Sequence, residues 1–476
     1  MVITNSNRSQ RFLQETLQKT LILERLFLEI KSAALYPGAR TLLSAGAIIS
    51  KAIRESIKLE LSDRQEISDD DLIGMCTRRQ RLLNDLHTMI LNYAAPAVHE
   101  TIPVEMISAL EAEIRKITSD FCLLMHPSPD PIYEIIILKD PVQHYIDALA
   151  PYVPEVQIDD AMRGVFIVLS YPAVESQNAL LHTLMASHEI MHLKDLLEEI
   201  GDNFKTQINI PENRVKGVVD KLLRSPLAAP SNEKPVPVRL GDISEPSEVR
   251  SSVLAEIDDI VTAWLHELVA DILAVRTYGP AYPLALARIA MTLGSLDAYT
   301  SSHPSPKMRL KIALEELRTL GFDSDQEIEF VSQEINEISL YVKDEVLPVN
   351  TLQAIAWESI DAARISLAQK VRIATNGQDF RVEQFGTRVN ALVDSLSNGV
   401  PPCEFLDISS RSSIPADLPS ILNAGWIFYL VKLDNLADLL GISQDIDKFQ
   451  AETKLWELLL SAIDSAQFLL TWKEFE

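Results

Sequence analysis

Apolar residues recur at helical spacing along most of the chain. Leu13, Leu17 and Leu21 stand four apart, and the same spacing runs through Ala45 to Ile57 and Arg81 to Leu91, which stacks one apolar stripe over successive helical turns. The pattern predicts a helical N-terminal region over residues 1–125. It changes at His126-Pro127-Ser128-Pro129-Asp130-Pro131, a cluster of breakers. Beyond it, Tyr133 to Leu138 and Gly164 to Tyr171 are continuous apolar runs rich in Ile and Val, and they are the only convincing strands. Pro172 closes the second. A helix is then expected from about Ala173 to Ile200, with Gly201 in a C-cap position. Residues 201–250 contain Pro211, Pro226, Pro230, Pro235, Pro237 and Pro246 and few periodic apolar positions. They read as a long surface insertion, either a lid or a plain connector. Further helices are expected over Glu248 to Tyr278, where Gly279-Pro280 ends the pattern, over Tyr282 to Ala298, and through 307–476 with breaks near Asn398-Gly399 and Pro415. The resulting division is 1–125, 126–312 and 313–476, with no internal repeat.

Composition sharpens this picture. The 476 residues are 47% apolar and 23% charged with only 15 glycines, enough apolar side chain for a large core and a bias towards helix. The formal net charge is -25 without a compensating basic run. Such a field repels phosphate backbones and anionic lipid, which argues against nucleic acid and membrane surfaces as partners. Cys76, Cys122 and Cys403 are three in number and far apart, which suits reduced thiols in a cytoplasmic protein better than a disulfide framework, and they lack metal-ligand spacing. The first residues show no export signal and no apolar run approaches about 18 residues, so no membrane insertion is expected.

One string carries chemistry. In His188-Glu189-Ile190-Met191-His192, two imidazoles four apart on a helix lie over one another and can reach a single Zn²⁺, with the adjacent glutamate turned towards its water. By chance the string arises in on the order of one per cent of chains of this composition. A catalytic zinc needs a third protein ligand and an open fourth position. Glu267 is favoured, because Asp271 follows at i+4 and could orient a ligating histidine from behind. Two carboxylates so spaced repel on a bare helix, and a dication would remove that cost. Other readings remain: an acidic solvated helix face, Glu212 at twenty residues after His192, or His266, which points about 100° away from Glu267. His303 and Arg309 lie in a Ser-His-Pro-x-x-x-x-Arg loop (Ser302 to Arg309), where the histidine could stabilise an oxyanion or be a simple loop residue. The string His-Pro-Ser-Pro also occurs at His126 to Pro129 without the arginine.

In that order these residues resemble the gluzincin peptidase family that includes the CAAX prenyl endopeptidase and the bacterial heat-shock protease HtpX. The likeness covers roughly residues 164 to 309. It implies a zincin-like catalytic core with a small β-sheet inside a mainly α protein, His188, His192 and Glu267 as ligands to one Zn²⁺ per chain, Glu189 as catalytic base, and Asp271 behind the ligands. His303 and Arg309 match the family's additional active-site motif. Met191 stands where the family has glycine, and many members are embedded in membranes. The expected activity is hydrolysis of peptide bonds in a protein or peptide substrate, the substrate pairing with a free edge of the strand around Val165 to Tyr171. Two alternatives stand beside it: a helical scaffold with a structural or vestigial metal site, and a latent protease uncovered when a regulatory protein partner or cleavage displaces residues 201–250.

Overall fold

The computed structural model describes residues 5–33, 37–63, 68–94, 104–125, 134–140, 145–148, 166–172, 178–224, 245–293, 297–322, 329–342, 348, 350–375, 379–407, 412–441 and 448–474. The breaker cluster at 126–131 with its His-Pro-Ser-Pro copy, and Pro226, Pro230, Pro235 and Pro237, lie outside the described residues. Two compact units follow one another along the chain, Met1–Gln177 and Asn178–Glu476.

The first unit opens with four helices, α1 (Asn5–Ala33), α2 (Pro37–Asp63), α3 (Asp69–Ala94) and α4 (Val104–Met125). The apolar stripes of the first three close on one another, burying Phe27, Leu43, Ile49, Ile53, Ile57 and Leu83 completely. Ser68 caps α3: its hydroxyl accepts the Asp71 N–H at 3.1 Å and donates to the Asp71 carboxylate at 2.6 Å. Three strands complete the unit: β1 (Glu134–Asp140), β2 (Tyr145–Ala148) and β3 (Phe166–Pro172). The order is β1-β3-β2, with β1 parallel to β3 in the register Ile136 to Val168, and β2 antiparallel to it in the register Ile146 to Leu169. Both expected strands are present, joined by a third that is too short to signal itself. Because β3 is central, its backbone groups are paired on both sides over Ile167 to Ser170. The free edge expected for peptide binding does not exist there.

The second unit is built on one long helix. In order it contains α5 (Ala179–Glu198), α6 (Ile200–Lys205), α7 (Glu212–Arg224), α8 (Pro246–Tyr278), α9 (Ala281–Leu293), α10 (Pro306–Thr319), α11 (Glu329–Val342) and α12 (Thr351–Ala374). Then come α13 (Val382–Gln384), a π-helical turn (Phe385–Val389), α14 (Asn390–Ser397), a hairpin of β4 (Glu404–Asp407) and β5 (Ser412–Pro415), α15 (Leu418–Ile427), a second π turn (Phe428–Lys432), α16 (Leu433–Leu439) and α17 (Lys448–Glu474). Proline at N1 starts α8, and Gly279 ends it at φ 59°. A side chain at Gly279 would also meet Phe380 at 2.5 Å, so glycine is needed twice over. From Trp264 to Tyr278 almost every residue of α8 is buried, and α5, α6, α7, α9, α10 and α12 pack around it. A helix buried on all sides belongs to the core, and here it takes Glu267, Asp271 and Arg276 in with it.

Two expectations change. The helix expected to reach Ile200 breaks at Glu199, which takes φ 50° and separates α5 from α6. The expected insertion contains α6 and α7, which bury Phe204, Val215 and Val219 and pack on α8. Its described residues are part of the helical body. Behind α8 a buried charge network joins three helices. The Arg276 guanidinium ion-pairs with Glu316 of α10 and with Asp379, its Nε donating to Asp379 Oδ1 at 2.8 Å. Arg372 of α12 donates to the far oxygen of Glu316 at 2.9 Å.

The mainly α class is borne out, and the strands are few and short. The three-stranded sheet falls in the first unit, whereas the second contains only the β4–β5 hairpin among its described residues.

Candidate metal centre

His188, Glu189, His192, Glu267, Asp271, His303 and Arg309 lie in the second unit, on α5, on α8, and in α10 and the loop just before it. Asn178 caps α5 by accepting the Leu181 N–H at 3.2 Å. Leu184, Met185, Ile190 and Met191 are buried, and this anchors α5 so that His188 and His192 share the face turned to α8. Their Nε2 atoms are 3.2 Å apart and their rings meet edge to face. From α8 the Glu267 carboxylate reaches both: Oε2 is 3.5 Å from His188 Nε2 and Oε1 is 3.3 Å from His192 Nε2.

These separations suit a metal. Ligands at about 2.0–2.1 Å from a tetrahedral zinc are roughly 3.3–3.4 Å from one another, and the three distances bracket that value. His188, Glu189 and His192 alone also place one donor each within 4.8 Å of one another, so either glutamate could complete a set. Glu267 suits the third position, being buried and 3.5 and 3.3 Å from the two imidazoles. Glu189 is only partly buried.

Charge points the same way. Glu267 and Asp271 both face the Arg309 guanidinium, and with Glu189 beside the imidazoles the carboxylates outnumber it, a balance that a bound cation would favour.

The surroundings fix the His188 tautomer. Its Nδ1 lies 3.0 Å from the Tyr282 hydroxyl, which donates to Asp271 Oδ1, and Asp271 itself is 3.3 Å from Nδ1. Tyr282 also stacks on the imidazole. Burial, and then the Asp271 charge, push the Tyr282 hydroxyl well above its ordinary range, so it remains a donor to Asp271 and an acceptor for the Nδ1–H. The Nε2 lone pair is thereby turned towards Glu267 and His192. Tyr282 was not singled out in the sequence, where a tyrosine within an apolar helix gives no hint of its partners. Its place is held by Asn423, which accepts the Ala281 N–H at 3.0 Å and donates to the Tyr278 carbonyl at 2.7 Å across the α8–α9 junction.

Arg309 sits in the first turn of α10, where the helix dipole disfavours a cation. Two carboxylates offset that. Asp271 receives Nε at 2.8 Å and Nη2 at 2.7 Å, and Glu267 Oε2 lies 3.0 Å from Nη1. Arginine therefore relieves part of the i,i+4 repulsion that the sequence assigned to a metal. Nη2 is also 3.0 Å from His188 Nε2. Although burial raises the Glu267 pKa, Arg309 and the two histidines outweigh it and hold that carboxyl well below its usual range. For His192, burial opposes charging, and Glu267 with Glu189 overcome it and raise the imidazole.

His303 is exposed at the rim, with Nε2 3.3 Å from Glu267 Oε1. Ser302 touches its Nδ1 at 2.8 Å, and Trp264 of α8 steadies the loop by donating to the Thr300 carbonyl at 3.1 Å. The rival ligands are elsewhere. Glu212 is exposed and paired with Arg250, and His266 turns its Nδ1 to Asp195 at 2.5 Å. Comparison with protein-family models, with curated proteins and with solved structures finds no match to this chain.

Proposed function

We propose that the second unit is a zinc-dependent endopeptidase of gluzincin type acting on a protein or peptide substrate. The observation that carries the reading is the trio His188, His192 and Glu267, mutually 3.2 to 3.5 Å apart, with the Glu189 carboxylate beside them. Zinc bound there would act as a Lewis acid on the substrate carbonyl and lower the pKa of a water. Glu189 would take the proton from that water and return it to the leaving amine. His303, accessible and with Nε2 directed at the same carboxylate as the ligands, offers an N–H to the negative charge that develops on the carbonyl oxygen. Tyr282, Asp271 and Arg309 keep the His188 ring and the Glu267 carboxylate in place. The proposed compartment is the cytoplasm, in keeping with the free thiols Cys76 and Cys403.

A second reading has its own observation. The Arg309 guanidinium already touches His188, Glu267 and Asp271, so the same residues can form a buried polar network in a helical scaffold without a metal. Metal analysis separates the two. The peptidase reading expects one zinc per wild-type chain, retained by Glu189→Gln, lost in Glu267→Ala and retained in Glu212→Ala and His266→Asn. Glu189→Gln should lower peptide hydrolysis by about 10²–10⁴-fold. A wild-type chain that binds no zinc overturns the peptidase reading.

A further inference from the structure

A second buried contact lies one helical turn beyond the metal trio and belongs to none of the roles above. Asp195 follows His192 by three residues on α5 and is fully buried; His266 precedes Glu267 on α8 and is less than one-third exposed. Both Asp195 oxygens are used: Oδ2 meets His266 Nδ1 at 2.5 Å, and Oδ1 accepts the Gly201 N–H at 2.8 Å. Gly201 is the second residue of α6, just past the left-handed break at Glu199. A Cβ there would stand 2.8 Å from His266 Nδ1 and 3.2 Å from Asp195 Oδ2. Asp202, exposed and 3.7 Å from Nε2, is the other carboxylate facing the imidazole, and His192 also acts on it.

We propose that Asp195 and His266, with Gly201 leaving room for them, are positioning residues that set the distance between the histidine pair on α5 and Glu267 on α8. The inference rests on the zinc reading. A carboxylate–imidazole contact is short and directional. It pins the two helices at residues adjacent to the ligands, and a displacement of a few tenths of an ångström there moves the ligand atoms off a tetrahedral edge. Ligation does not need this pair, because neither side chain points at the trio.

The test uses the full chain. Zinc affinity is measured by competition with a chromophoric chelator, and coordination geometry by the visible absorption of the Co²⁺-loaded protein. His266→Ala and Gly201→Ala should each weaken zinc binding by about 10–100-fold and alter the cobalt bands. His266→Asn, which keeps a donor close to the Nδ1 position, should recover most of both. If both alanine variants keep wild-type affinity and cobalt spectrum, the positioning role is overturned and the zinc reading stands. If the wild type binds neither metal, both fall.

Discussion

At the scale of single residues, the centre depends on groups that hold one another's protons. Tyr282→Phe removes the donor to Asp271 and the acceptor beside His188 Nδ1. The buried carboxylate loses one of its partners, which costs about 1–3 kcal/mol of stability. The imidazole loses its tautomer lock, so zinc affinity should fall by roughly tenfold or more; chemical denaturation and a chelator titration measure the two effects separately. The pH response has a definite sign. Glu267 is held well below the usual carboxylate range and stays ionised, so acid should release the metal by protonating imidazole. His192 is raised, so zinc affinity should begin to fall above the ordinary imidazole value of about 6.5 as pH decreases. An onset below about pH 6 in a competition titration would contradict this. In the metal-free protein, the stability from His192 is full below that ordinary value and is lost as pH rises through the raised one. The stability from Glu267 is present above the ordinary carboxylate range and is lost on acidification.

At the scale of elements, α8 positions Glu267 and Asp271, and its far end is held by the buried Arg276 network. Arg276→Ala would leave Glu316 and Asp379 buried without that partner. The expected loss is about 3–5 kcal/mol, read as a lower denaturant midpoint with an unchanged slope. Much of this architecture was legible. Helical spacing marked 1–125 as helical, with stripes that fall on α1, α2 and α3, and located α8 and α9, because a 3.6-residue stripe and a terminal Gly279-Pro280 are local signals. The clustering of His188 and His192 was legible because they stand four residues apart on one helix. What escaped depends on distant residues. β2, β4 and β5 have only four residues each and are defined by their partners. The break at Glu199 comes from a carboxylate that takes the Gly201 N–H, and prolines obscured the apolar positions of α6 and α7. Tyr282 is fifteen residues from Glu267, and only folding at the α8–α9 junction turns its hydroxyl to Asp271.

At the scale of the whole molecule, the net charge of -25 gives a field that attracts cationic segments and repels acidic ones. For a peptidase this becomes a kinetic preference. The kcat/KM for a lysine-rich peptide should fall as salt rises from about 10 mM to about 150 mM, over which the screening length shortens from roughly 30 to 8 Å, whereas an uncharged peptide of equal length should change little. Equal salt responses would sink this expectation. No helix among the described residues is long and apolar enough to cross a membrane.

The Asp195–His266 contact also bears on chain entropy. It joins residues 71 apart and so encloses nearly the same stretch of chain that lies between His192 and Glu267. Closing a flexible loop of that length costs roughly 4 kcal/mol. With the loop already closed beside the ligands, a metal would arrive at donors whose encounter has been arranged by folding, and its affinity would be spent on coordination instead of on gathering the chain.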